Sequence, residues 1–216
     1  MKKIISLAFA TTLLTFTTFS FFESEIANAA SANDSVGISF TVSSAISISE
    51  PGDIDLGTLN GLLGGTATGS ATWNVKTSND TGYNIGVKAS TDPALKTASF
   101  SFANYTPTGT TTTPDYDWEI GVAISEFGFA PYNATSQVSK FKNNGSSCNI
   151  TGGSVTAWKC WFPFATSDTQ IANRATMTSI SGEDNVVYVE AEIDAANGNQ
   201  EDGSYTATIT ATATEN

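Results

Sequence analysis

Apolar and polar residues alternate along much of this chain, and the alternation predicts β-strands. The clearest example closes the chain, where every second residue from Tyr205 to Ala213 is apolar and the residues between them are Thr. A period of two places alternate side chains on opposite faces of a strand. The same pattern predicts further strands over 71–77, 83–89 and 186–193.

Another alternating segment lies near the start of the chain, between Val36 and Ile48. Its Val, Ile and Phe residues all fall on even positions, and Ser44 is the only even position without one. The pattern predicts one long strand, or two strands bent at residues 43–44. Such a strand either belongs to the sheet of its own domain or adds to the sheet of a neighbouring molecule.

Turn residues separate most of these segments. Residues 78–82 read Ser-Asn-Asp-Thr-Gly, which is typical of a turn between strands. They predict an antiparallel hairpin that places Trp73 and Tyr83 in the core. Shorter apolar stretches predict additional strands over 53–59 and 118–124.

The number of strands and the turns between them predict an all-β fold. Roughly ten short strands favour an antiparallel β-sandwich of Ig-like or jelly-roll-like plan, with a barrel as the alternative. No segment shows a helical period, and Thr with Val, Ile and aromatic residues favours strands. No linker divides the chain after its first residues, so residues 30–216 are predicted to form a single domain.

The first residues have the order of a secretory signal peptide. Two lysines precede an apolar run over 4–22, and a small-x-small triplet, Ala-Asn-Ala, ends at Ala29. This order predicts a bacterial signal peptide over 1–29 and a secreted or cell-surface protein. The alternative is an uncleaved anchor, because roughly 20 apolar residues span a bilayer. No second apolar run follows, so no transmembrane segment is expected after cleavage.

The charge of the chain limits its partners. The net charge is −12 and there is no His, so nucleic acid is not an expected partner. Calcium is the candidate cofactor, because hard cations take oxygen ligands, although a solvated acidic turn without an ion is the alternative. The predicted calcium site is the acidic turn that contains Asp194, Asn197, Asn199, Glu201 and Asp202.

Two cysteines, Cys148 and Cys160, lie close together in a polar, Gly-rich stretch. In an exported chain such a pair predicts one disulfide. Closing a loop of this size stabilises a fold by roughly 3 kcal/mol. The alternative is a metal site, for which two thiols without any His make a poor ligand set.

The residue types present do not suggest an enzyme. Without His, neither a Ser-His-Asp nor a Cys-His arrangement can form. Two carboxylates are enough for glycoside hydrolysis, and the nearest pairs are Asp115 with Asp117 and Glu190 with Glu192. Alternate residues on a strand share a face whatever their function, so we expect Glu190 and Glu192 on a solvated outer face.

Four aromatic residues are candidates for ligand binding. Planar rings at the ends of loops can stack on sugars, but aromatic side chains in a sandwich also fill its core. Trp158 is the one most expected at the surface, because it lies in a polar loop closed by the predicted disulfide. The four residues are Tyr116, Trp118, Trp158 and Trp161.

The export signal, the Thr- and Gly-rich alternating strands and the closing strand from Tyr205 resemble those of bacterial surface and fimbrial β-sandwich proteins. The Trp73-Asn74-Val75 triplet is similar to the motif of the cell-wall-associated WxL family, although Ala211 stands near the place of that family's second Trp. These resemblances imply a structural or adhesive role at the cell surface. The expected partners are copies of the same chain or other surface components, and a carbohydrate- or calcium-dependent binding module is the alternative.

Overall fold

A computed structural model describes residues 32–197 and 200–216, and the predicted signal peptide over 1–29 lies outside this part of the chain. The predicted all-β fold is confirmed. None of the helices in the described ranges is long and apolar enough to cross a bilayer. The strands are β1 (Ile46–Ile48), β2 (Gly65–Thr77), β3 (Tyr83–Ala89), β4 (Ala103–Asn104), β5 (Ser125–Tyr132), β6 (Thr169–Arg174), β7 (Glu183–Ile193) and β8 (Ile209–Glu215), with single 3-10 turns at Ser139–Phe141 and Ala195–Asn197.

The strands form two sheets that pack as a sandwich. The larger sheet has the order β1-β2-β7-β5-β4, and the smaller sheet has the order β6-β3-β8. All neighbours are antiparallel except β4 and β5. One long apolar cluster lies between the sheets, and its fully buried members include Val75, Ile85, Phe129 and Val187.

Alternation determines which side of the larger sheet each residue faces. In β7, Val187, Val189 and Ala191 point into the core, so Tyr188 and Glu190 point to the outer face. The strands predicted over 71–77, 83–89 and 186–193 are all present. The closing strand is shorter than predicted at its start, because β8 begins at residue 209.

The predicted hairpin around residues 78–82 is wrong, although Trp73 and Tyr83 are both core residues. β2 pairs with β1 and β7, whereas β3 pairs with β6 and β8. The turn therefore carries the chain from one sheet to the other. Gly82 has a φ of +82°, and a Cβ atom there would lie 2.0 Å from the carbonyl oxygen of Arg174. Only glycine fits this crossing.

Two predicted strands, over 53–59 and 118–124, are absent, and of the alternating segment predicted over 36–48 only residues 46–48 form a strand, which is β1. Alternation shows that a segment has two unlike faces, but a strand also needs a hydrogen-bonding neighbour. Leu56 packs against the core without joining a sheet. Ile120 packs against a small aromatic cluster on the outer face of the larger sheet. Residues 36–45 have no strand partner among the described residues.

Candidate functional site

The predicted disulfide between Cys148 and Cys160 is confirmed. It closes a loop that ends in two residues with left-handed backbone conformations. Trp158 has a φ of +60° and Cys160 a φ of +69°, and residues other than glycine seldom adopt such angles. The disulfide and the pairing of Trp161 with Asp115 (2.8 and 3.1 Å) hold this loop against the outer face of the larger sheet.

Trp158 is the exposed aromatic residue that the sequence predicts. Its side chain is 38 % exposed, and its ring stacks on that of Tyr188 with 4.1 Å between the centroids and 27° between the planes. The ring of Tyr132 lies 6.4 Å from that of Tyr188. The three rings form a small aromatic platform on the outer face of the sheet. A platform of this kind can stack on a planar or sugar-like ligand.

The other candidate aromatic residues are placed differently. Trp161 is only 2 % exposed, and the ring of Trp118 contacts it edge to face at 5.0 Å. Trp118 also stacks on Tyr105 at 4.5 Å. Tyr116 is half-buried, with the Lys159 ammonium 4.7 Å from its ring centroid. Among the four candidates, Trp158 therefore offers the most accessible ring.

Tyr132 and Tyr188 are site residues that the sequence reasoning missed. Tyr188 lies in the alternating pattern of β7 on the same face as Glu190. An aromatic residue on the face that otherwise carries charges is the signal that could have identified it. The role of Tyr188 in the platform depends on Trp158, which is remote in the sequence and contacts Tyr188 only because the loop folds over the sheet.

The outer face of β7 is not solvated at Glu190, so that prediction is wrong. The Glu190 side chain is 8 % exposed, and it lies beside Gly128 of the neighbouring strand. The ring of Trp118 covers Gly128, where a Cβ atom would be only 3.2 Å from Cζ3 of that ring. Burial, and to a smaller extent the nearby Glu192 carboxylate, raises the pKa of Glu190 to about 7.

A second carboxyl on this face is also buried. Glu126 pairs with Glu192 across β5 and β7, and it is 2 % exposed. Its Oε2 atom has no hydrogen-bond partner among the described residues. Burial raises the pKa of Glu126. Burial therefore disfavours the ionised form of both carboxyls on this face, whereas glycoside hydrolysis uses one ionised and one protonated carboxyl.

The carboxylates of Asp115 and Asp117 have separate partners. Asp115 accepts hydrogen bonds from the Tyr105 hydroxyl (2.9 Å) and the Thr108 amide (2.7 Å). Burial first, and the hydrogen bond to Asp115 next, raises the pKa of Tyr105. Asp117 forms an ion pair with Lys159. Asp115 thus ties the Thr-rich loop to the aromatic cluster.

The predicted calcium turn is only partly described. Asn199 lies outside the described residues, and Asn197 ends a 3-10 turn. The Asp194 carboxylate accepts a hydrogen bond from the Ala196 amide at 2.7 Å, while Glu201 and Asp202 are exposed. Within residues 32–197 and 200–216, no three acidic, His or Cys side chains come together as metal ligands.

The alternating segment near the start of the chain is exposed. Val36, Ile38, Phe40 and Val42 are 83, 88, 87 and 77 % exposed, while the residues between them are Gly, Ser and Thr. Large apolar side chains scattered singly on a surface are ordinary, but four in succession at one spacing are not. We call residues 36–42 the apolar segment.

No protein-family model, curated protein or solved structure matches this chain. Among the described residues, the apolar segment and the platform at Trp158 have chemistry suited to an interaction.

Proposed function

We propose that this protein is exported and serves at the cell surface as a structural subunit that assembles with copies of itself through the apolar segment. The observation that carries the proposal is the exposure of four large apolar side chains at every second position. A segment with this pattern can add to the edge of another sheet, where its backbone forms hydrogen bonds and its alternate side chains enter apolar space.

Other features support a role outside the cytoplasm. The residues over 1–29 have the order of an export signal, and a disulfide between Cys148 and Cys160 suits an oxidising compartment. The resemblance to bacterial surface proteins points the same way. The apolar segment contains no charged residue, in contrast to the net charge of −12 over the chain, so it is poorly suited to remain in water.

Light scattering on the purified chain, with and without calcium, tests the proposal. The chain is expected to form large assemblies that disappear when Ile38 and Phe40 are both replaced by Ser. A matched control replaces Ile180 and Val122 by Ser, because these residues are also apolar and exposed, at 97 and 80 %, but lie elsewhere. A wild-type chain that stays monomeric in both conditions, or equal losses in the two variants, would refute assembly through this segment.

A binding module is the second candidate, and the stacked, exposed ring of Trp158 favours it. Glycan-array binding, measured with and without calcium, is expected to be lost in Trp158→Ala. Trp158→Phe is the control, because a smaller ring can still stack on Tyr188. Absence of binding across a broad array would count against this function.

A further inference from the structure

We infer that the apolar segment of one copy inserts beside β8 of a second copy and closes an open side of its sandwich. This inference rests on the proposed function and adds the acceptor to it. The acceptor consists of the outer edge of β8 and the groove between β8 and β1. The partner is therefore a second copy of this chain, recognised through strand pairing and apolar side chains.

The edge of β8 is unprotected, in contrast to the opposite edge of the same sheet. β8 is seven residues long and, among the described strands, pairs with β3 alone. Within the described part of the chain, no backbone group bonds to its other side. It contains neither Lys nor Pro, the residues that usually prevent pairing at an edge.

At the other edge of this sheet, residues 136–138 cover β6. The Val138 amide donates to the Ile171 carbonyl at 3.1 Å, and the Asn173 amide donates to the Ser136 carbonyl at 2.7 Å. One edge of the three-stranded sheet thus has a backbone partner, while the β8 edge offers its donors and acceptors to another chain.

The core is also incompletely covered beside β8. Ile85 and Val87 of β3 are fully buried, whereas Ala211 and Ala213 of β8 face the same core and remain half-exposed. A groove of about 250 Å³ opens at this place, lined in part by Ile48, Trp73, Ile209 and Ala211.

The apolar segment matches this acceptor in length and in side-chain pattern. Residues 36–42 equal the seven residues of β8 in number. As a strand beside β8, the segment would direct its even-numbered side chains toward the uncovered core. The small Ala211 leaves room for large neighbours such as Phe40, and a cavity of roughly 150 Å³ is enough for a benzene ring.

The connection to β1 favours another copy over the chain's own groove. Ala45 already exchanges hydrogen bonds with Ser78, at 3.0 Å in each direction. The Ser44 hydroxyl donates to the Glu215 carboxylate at the end of β8, at 2.9 Å. A return into the same groove would have to reverse at Ser43 and Ser44, and tight hairpin turns instead require Gly, Asn or Asp.

Cysteine cross-linking in the full chain tests this inference. One population carries Phe40→Cys and a second carries Ala211→Cys or Ala213→Cys, with the native disulfide retained in all. Ser39→Cys is the matched donor control, because it lies on the opposite face of the same segment, and Ile180→Cys is the acceptor control. Disulfides require closely spaced Cβ atoms, so Phe40→Cys should yield at least about fivefold more mixed dimer than Ser39→Cys.

The outcomes separate this inference from the proposed function. Mixed dimers that depend on Phe40 and on β8 support the acceptor. Assemblies whose cross-linking does not depend on Phe40 and β8 would refute β8 as the acceptor but leave the proposed self-assembly intact. A chain that forms neither assemblies nor cross-links would refute both the acceptor and the proposed function. A chain carrying Phe40→Cys and Ala211→Cys together that closes on itself as a monomer overturns the second copy as the partner.

Discussion

The buried carboxyl of Glu190 should make the protein less stable as the pH rises toward neutrality. Burial raises the pKa of this group from its ordinary value of 4.5 to about 7. The folded state therefore holds its proton between these values while the unfolded state has lost it. Stability from this group is fully present below about pH 4.5 and is lost as the pH rises through about 7.

The magnitude follows from the two pKa values. Each factor of ten in an ionisation equilibrium corresponds to about 1.4 kcal/mol, so the change from 4.5 to about 7 corresponds to at most about 3 kcal/mol. Glu190→Gln keeps the shape of the protonated side chain and cannot ionise. This variant should match the wild type at about pH 4 and exceed its free energy of unfolding by up to about 3 kcal/mol at about pH 8.

Urea unfolding followed by Trp fluorescence measures this difference, and the comparison with wild type cancels the titration of the other carboxyls. Glu119→Gln is the control, because Glu119 is exposed and its substitution removes no buried carboxyl. If Glu190→Gln gave the same difference at both pH values, the carboxyl would be hydrated and the reasoning from burial would be refuted.

Two further experiments test the disulfide and the backbone conformation at Gly82. Cys148→Ser with Cys160→Ser should lower the free energy of unfolding by roughly 3 kcal/mol, measured by urea unfolding against wild type, and an unchanged midpoint would contradict this. Gly82→Ala should cost about 3 kcal/mol, because its Cβ would clash with the Arg174 carbonyl. Gly152 is the control position, because it has a similar φ but no atom within 4 Å of an added Cβ. Gly152→Ala should therefore lower the free energy of unfolding by only about 1 kcal/mol. Equal losses of stability for the two variants in thermal unfolding would show that the contact with the Arg174 carbonyl does not matter.

Assembly through β8 would give the alternating segment a structural role that its own domain does not supply. A strand needs a neighbour for its backbone groups and a core for one face. In the described part of the chain, β8 has no hydrogen-bonded strand on one side and covers the core incompletely. The apolar segment has large apolar side chains that are exposed and not packed against the core.

The sequence alone was sufficient to predict several local features of the fold. The alternation over β2, β7 and β8 identified strands, and it placed Trp73 and Tyr83 in the core. The spacing of Cys148 and Cys160 identified the disulfide. These features depend on side chains within one segment, or on two cysteines separated by 12 positions, and can be read without knowing which strands are neighbours.

Only the tertiary structure decided which strand joins which sheet and what covers each face. β2 and β3 are consecutive yet lie in different sheets, because the pairing of each depends on strands remote in sequence. Glu190 alternates like a solvent-facing residue, but it is only 8 % exposed, and the ring of Trp118 lies over the adjacent Gly128. A period of two separates the faces of a strand without specifying their surroundings, since long-range packing supplies the cover.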